Sequence, residues 1–340
     1  MKKYGFNFLW MFSKHEKRQQ PQPPNEEELD LLKQLGFNFV RVPTDYRFWI
    51  EDDNYFKPDE KILRYVDSYL QACQERGLHL NLNIHRAPGY CINGNDLETH
   101  NLWKDEIAQK AFIYQWEIFS DRYKGISSEQ LSFDLLNEPP GIGQYGMTRE
   151  IHEEVMRKTI KAIRAIDPER VVCIDGLGGG NIPLPELADL DVIQCARGYQ
   201  PMALTHYQAD WWNGNKELLE PEYPGMKWQN KIWNQETLHK FYKPWRDLEK
   251  QGVEVFIGEF GCYNKTDNQT ALRWFSDLLD LYQKYGWGYA LWNFRGPFGI
   301  FNHGRPGTEY EQEKEYKKNI QRDYKLDNNL LQLLLKHKVE

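Results

Sequence analysis

Short apolar runs alternate with longer amphipathic stretches from one end of the chain to the other, and the alternation can be counted. The runs at 4–10, 37–42, 78–84, 131–136, 171–175, 192–195, 255–257 and 288–291 are too short for helices and read as eight strands. Between and after them the helical period recurs at 26–35, 59–76, 105–123, 148–166, 185–190, 236–250, 269–285 and 327–336. Gly36, Gly77, Gly125, Gly252 and Gly286 stand just past five of these stretches, where a left-handed residue ends a helix. Eight strands each followed by a helix predict an α/β fold, a (β/α)8 TIM barrel.

No Gly/Ser linker or charge block divides the chain, and QQPQPP at 19–24 is too short and too early to separate domains. A single catalytic barrel domain over 1–340 is therefore expected. The longest irregular stretches, 197–235 and 297–325, follow the sixth and eighth strands. In a barrel those segments leave from the C-terminal face, where sites are built, and loops of this length are usually functional. The opening MKKYGFNFLWMFSKHEKR alternates like a strand and lacks a small-residue cleavage site, so it reads as the first strand and not as a signal peptide. A cytoplasmic location follows as an expectation. No window approaches 18 consecutive apolar residues, so no membrane span is expected.

Composition narrows the partner. With 40% hydrophobic and 27% charged residues the chain can build a sizeable core. Its net charge of −7 comes without a basic cluster, which removes the electrostatic footprint of a nucleic-acid binder and favours a neutral ligand. Aromatic residues reach 14%, with 12 Trp and 20 Tyr, more than a core alone requires. Rings with apolar faces and polar edges suit sugars. Five cysteines, Cys73, Cys91, Cys173, Cys195 and Cys262, show neither CxxC pairing nor metal-ligand spacing, so neither a disulfide framework nor a metal site is expected.

Two strand ends present a carboxylate. The run 131–136 leads into Asn137-Glu138-Pro139-Pro140, and 255–257 into Gly258-Glu259-Phe260-Gly261. Cleaving a glycosidic bond needs two carboxyl groups flanking it, one to protonate the leaving oxygen and one to attack or to activate water. At the C-terminal ends of the fourth and seventh strands these glutamates would face each other across the barrel mouth. Pro139 disfavours the α region for Glu138 and predicts an extended turn there. Arg41, in FVRVP, would be a permanent cation that keeps Glu259 ionised while Glu138 holds its proton. His85, Asn137 and Trp292 sit at strand ends where they would bind a sugar hydroxyl, a 2-hydroxyl and a ring face.

With these residues in view the chain resembles glycoside hydrolase family 5, the family of cellulases and mannanases. The resemblance rests on Val40-Arg41-Val42-Pro43, Ile84-His85-Arg86-Ala87-Pro88-Gly89, Asn101-Leu102-Trp103, Leu136-Asn137-Glu138-Pro139, Ile257-Gly258-Glu259-Phe260-Gly261 and the Trp292 segment, in the family's order. It implies a retaining double displacement with Glu138 as acid/base and Glu259 as nucleophile, and no cofactor. One departure stands out. The family usually carries His-x-Tyr after strand six, the His positioning the acid/base and the Tyr bonding the nucleophile. This chain has Arg197-Gly198-Tyr199, and an arginine beside Glu138 would lower the pKa of a proton donor unless it points elsewhere or contacts substrate. His206 is a candidate replacement for the missing ring.

The resulting expectation is a retaining β-glycoside hydrolase acting on β-1,4-linked glucans or gluco-oligosaccharides, endoglucanase-like. An exo-acting β-glucosidase or β-mannosidase working on short oligosaccharides inside the cell is the alternative, and a catalytically silent carbohydrate-binding barrel is the alternative of another class. Three of Trp10, Trp49, Tyr90, Trp103, Trp211, Trp212, Trp228 and Trp233 are expected to stack on sugar. The glycine-rich stretch 176–181 has Asn181 where a dinucleotide fingerprint needs glycine, so it reads as a loop, and no P-loop, HExxH or GxSxG occurs.

Overall fold

The apolar runs are buried on both faces, as parallel strands wrapped by helices must be. They form β1 (Tyr4–Asn7), β2 (Phe39–Asp45), β3 (His79–Arg86), β4 (Leu131–Asp134), β5 (Val172–Asp175), β6 (Ile193–Gly198), β9 (Glu254–Phe260) and β10 (Gly288–Leu291). The computed structural model describes residues 2–14, 20–94, 98–212, 214, 219–311 and 324–338. Residues 15–18 of the opening stretch, residue 19 of the proline-rich one, and 213, 215–218 and 312–323 of the two long segments lie outside the described residues. The eight strands close into a parallel barrel in the order β1-β10-β9-β6-β5-β4-β3-β2, with β1 pairing back onto β2.

Closure at β1 depends on a missing side chain. A Cβ on Gly5 would lie 1.7 Å from the Phe39 carbonyl oxygen, so only glycine lets β1 seat against β2. Gly5→Ala is expected to cost about 1–3 kcal/mol by overpacking. Urea unfolding followed by tryptophan fluorescence checks this, and an unchanged midpoint would contradict it.

The outer layer is α1 (Glu26–Gln34), α2 (Glu60–Gln74), α3 (Glu106–Arg122), α4 (Arg149–Ile166), the single turns α5 (Leu177–Gly180) and α6 (Met202–Thr205), then α7 (Gln235–Glu249), α8 (Asn268–Tyr285) and α9 (Asn328–Lys336). Asn25, Asp59, Thr148, Asn234, Asp267 and Asp327 each accept a first-turn N–H and start a helix. All five stop glycines are left-handed, with φ between 65° and 87°. Among the described residues no helix is long and apolar enough to cross a membrane. All five cysteines are buried.

Three local expectations change. The stretch 185–190 supplies only one 3-10 turn, Pro185–Leu187, opening on a proline. β6 runs on through Gly198, so Arg197 belongs to the strand and not to the loop after it. Within that loop β7 (Met226–Trp228) and β8 (Lys231–Trp233) form an antiparallel hairpin whose turn residues Gln229 and Asn230 are both left-handed. The favoured turn of that kind ends in glycine, and its absence hides the hairpin from a reading of the sequence.

Side chains two apart on a strand share a face, and this builds the site in layers. Phe39, Cys173, Cys195 and Phe256 join a small apolar cluster inside the barrel. Arg41, Asp175 and Arg197 lie two residues further along β2, β5 and β6, at the C-terminal mouth. The pairing of β6 with β9 shifts register between Ala196 and Arg197, a bulge that re-aims the arginine as β9 delivers Glu259 opposite it.

Candidate active site

Two arginines and four carboxyl groups fill the barrel mouth. Arg41, fully buried, donates through Nη1 to Glu259 Oε1 at 2.6 Å and to Asn7 Oδ1 at 2.9 Å, through Nε to Asp134 Oδ2 at 2.8 Å, and through Nη2 to Asn137 Oδ1 at 3.0 Å. Tyr199 donates its hydroxyl to the other Glu259 oxygen at 3.1 Å. The Glu259 carboxylate is therefore held at both oxygens, with a cation in contact.

Glu138 sits on strained backbone. Its φ is +47°, left-handed, where an extended turn was expected. Pro139 disfavours the right-handed region, and two contacts fix the chain on the opposite side: the Glu138 N–H donates to Asp175 Oδ2 at 2.9 Å, and Tyr90 donates its hydroxyl to the Glu138 carbonyl at 2.7 Å. Beyond it, the N–H groups of Gly178 and Gly179, both left-handed, donate to the carbonyls of Pro140 and Pro139. The glycine-rich turn thus braces the segment that carries Glu138. The side chain itself keeps 17% exposure, so it reaches the cleft.

Arg197 points at Glu138. Its Nε donates to Glu138 Oε1 at 3.0 Å, Nη1 to Asp175 Oδ1 at 3.0 Å, and Nη2 to Asp175 Oδ2, to Asn137 Oδ1 at 3.0 Å and to Glu259 Oε1 at 3.3 Å. The seat is carved by glycines: a Cβ on Gly258 would lie 2.7 Å from Arg197 Nη1, and one on Gly180 would lie 2.4 Å from its Cγ. His206 takes no part in this contact. It packs edge-on against the Tyr199 ring at 5.1 Å and meets Thr205 Oγ1 through Nδ1 at 3.0 Å, so the arginine and not His206 occupies the place beside the acid.

Burial and the neighbouring Glu259 push the Glu138 carboxyl up to about 8, against the pull of Arg197. The effect expected of the arginine is present but outweighed. Burial also works against ionisation of Glu259, yet Arg197 and Arg41 overcome it and hold that carboxyl below the ordinary range. Asp134 is pushed up to about 7 by burial and by Asp175. At neutral pH one carboxyl of the facing pair therefore carries a proton and the other a charge, the division that acid and nucleophile roles require.

The rim is aromatic. His85, buried and pushed down to about 3 by desolvation, is neutral, and neither ring nitrogen has a hydrogen-bond partner among the described residues. Trp292 stacks on it at 5.9 Å, with the edge of Phe12 on both rings. Asn137 turns its carbonyl oxygen to both arginines, which leaves its amide nitrogen without a partner among the described residues. Of the eight aromatics singled out above, Trp10, Trp49, Tyr90, Trp103 and Trp233 are buried, whereas Trp211, Trp212 and Trp228 keep accessible faces. Trp211 packs on Tyr263 at 4.8 Å and lies 6.3 Å from Phe298, which itself flanks Tyr199.

Asn7, Asp134 and Asp175 were missed by the sequence reading. Asn7 and Asp134 lie inside the apolar runs 4–10 and 131–136 and Asp175 ends the run 171–175, and the available signal was that a polar group or charge buried in such a run demands a partner.

The profile of a family described as "Cellulase (glycosyl hydrolase family 5)" matches residues 1–297. Endoglucanase C of Acetivibrio thermocellus is 31% identical over 314 residues, covering 84% of this chain and 88% of that protein. A crystal structure described as that of a glycoside hydrolase superposes with a TM-score of 0.95 at 59% identity, covering all of both chains. The endoglucanase Cel5A of Thermotoga maritima shares the fold at 23% identity and a TM-score of 0.75, covering 98% of this chain and 97% of that one.

Proposed function

The chain belongs to glycosyl hydrolase family 5, and from that premise we propose that it hydrolyses β-1,4-linked glucans with retention, Glu138 acting as acid/base and Glu259 as nucleophile. The observation that carries the assignment of roles is the single Arg197 guanidinium in contact with both carboxyls, one protonated by its surroundings and the other ionised. Two carboxyls close enough to share one cation suit direct attack by the second. The relative named an endoglucanase supports a glucan as substrate.

In this reading the neutral His85 ring and the Asn137 amide bind hydroxyls of the sugar being cleaved, the latter at the 2-position where the bond strengthens as the oxocarbenium-like transition state forms. Trp292 is its floor. Tyr199 orients Glu259, and Trp211, Trp212 and Trp228 offer stacking faces further along the cleft.

Incubation of the wild type with carboxymethylcellulose, cellotetraose and mannotetraose tests this. The expected result is chain shortening of the two glucans, with the β-anomer appearing first in proton NMR. Initial α-anomer would overturn the retaining assignment, cleavage of the mannan oligosaccharide alone would overturn the glucan, and binding without cleavage at any pH would leave a silent sugar-binding barrel.

A further inference from the structure

Retaining hydrolysis moves one negative charge back and forth. In the first half Glu259 attacks the anomeric carbon, the bond to the leaving oxygen breaks, and that oxygen takes the proton from Glu138. Glu259 becomes a neutral ester and Glu138 an anion. In the second half water attacks the same carbon and gives its proton to Glu138, while the ester's electron pair returns to Glu259 as a carboxylate. Arg41 touches Glu259 but not Glu138, so taken alone it favours the charge at its starting place. Arg197 touches both ends of the path, at 3.3 Å and 3.0 Å.

We propose that Arg197, anchored by Asp175, is a positioning residue that stays paired with the migrating charge and makes Glu138 an effective base in the second half-reaction. A single guanidinium can face two carboxylates and a third anchor at once because its donors fan out in one plane; an imidazole has only two ring nitrogens. The arginine cannot drift from this place: Asp175 holds Nη1 and Nη2, the Tyr242 hydroxyl donates to its carbonyl at 2.9 Å, and Gly180 and Gly258 close around its stem and head. The groups that bear on Glu138 are Glu259 from β9, Arg197 from β6, Asp175 from β5, and the phenols of Tyr90 and Tyr199, both of which burial keeps protonated. Esterification of Glu259 removes its repulsion, and Arg197 is then left to Glu138 and Asp175.

The inference rests on the roles assigned above, and its test separates the two. With 2,4-dinitrophenyl β-cellobioside the leaving group needs no proton, so the second half limits kcat, and the acid limb of kcat reports the ionisation of Glu138 in the intermediate. Arg197→Gln is expected to move that limb up by about one pH unit or more and to lower kcat at pH 6 by about tenfold, with kcat/KM much less affected. Azide, which needs no base, restores turnover, and Arg197→Lys restores part of the limb. Where the single variant does not fold, Arg197→Gln/Asp175→Asn removes the buried charges together, and because Asp175 itself raises the Glu138 carboxyl the limb is expected to move in the same direction but by less. An unmoved acid limb in the folded variants, with kcat and kcat/KM falling in parallel, overturns the proposal. If a 2-deoxy-2-fluoro cellobioside leaves no mass adduct on the wild type, the failure lies with the assigned roles instead, and the Arg197 inference falls with them.

Discussion

Glu259→Ala is expected to reduce hydrolysis of an aryl β-cellobioside by at least about 10⁴-fold, the scale on which an essential nucleophile is lost. The side chain is nearly fully buried and accepts three hydrogen bonds, from Arg41, Arg197 and Tyr199, which fix its carboxylate in place. Truncation vacates the face from which it would attack. Azide entering there gives the α-glycosyl azide, and identification of that anomer by NMR checks the role. Rescue as the β-anomer would exchange the two glutamates' parts. Because truncation also leaves a void beside Arg41 and Arg197, Glu259→Gln is the companion variant: it is equally uncharged but keeps the volume, and equal inactivity shows that the loss is chemical.

Glu138→Ala has a different signature. For a cello-oligosaccharide, whose leaving group is a sugar alkoxide, kcat/KM is expected to fall by about 10²–10⁴-fold, the range for losing general acid catalysis. For a dinitrophenyl glycoside it falls little, since the phenolate leaves unaided. The glycosyl-enzyme then accumulates, and azide collapses it to the β-glycosyl azide. The pH profile carries the same information. On the proposed roles the first step needs Glu138 protonated, and its carboxyl is raised to about 8 by burial and by Glu259, so kcat/KM of the wild type is expected to hold below that pH and fall above it. In Glu138→Ala this basic limb disappears; a limb that persists would assign the proton to another group.

Strand count, helix order and the two glutamates were legible because they rest on features that survive in one dimension: apolar period, stop glycines, and a carboxylate placed where a strand ends. What periodicity leaves open is which inward-facing polar residues find each other. Asp134 and Asp175 lie at the ends of β4 and β5 and meet arginines more than twenty residues away, so their partnership exists only once the barrel closes. Arg197 was read at the right position, and its effect on Glu138 has the expected sign. The magnitude depended on burial and on Glu259, which no local pattern contains. Glu138 shows the same limit on the backbone, since Pro139 disfavours one conformation but the choice between those remaining is made by Tyr90 and Asp175. Five of the eight marked aromatics proved to be core because a ring near a strand end faces inward or outward according to register, which hydropathy does not resolve.

The glycines around Arg197 bear on how such a site can change. A histidine at this place would be too short to press on positions 180 and 258 as the arginine does, and a neutral ring would not balance Asp175. A side chain at either glycine position would displace the stem or head of the arginine, since a Cβ would lie 2.4 Å from its Cγ at 180 and 2.7 Å from its Nη1 at 258. Removing it here would strand an aspartate and open a void between them. Arginine, aspartate and two glycines are physically coupled in this site, so a change at one of them alters what the other three tolerate. Libraries that randomise position 197 alone will therefore undervalue every alternative to arginine, and co-varying 175, 180 and 258 is the search that can find a working histidine.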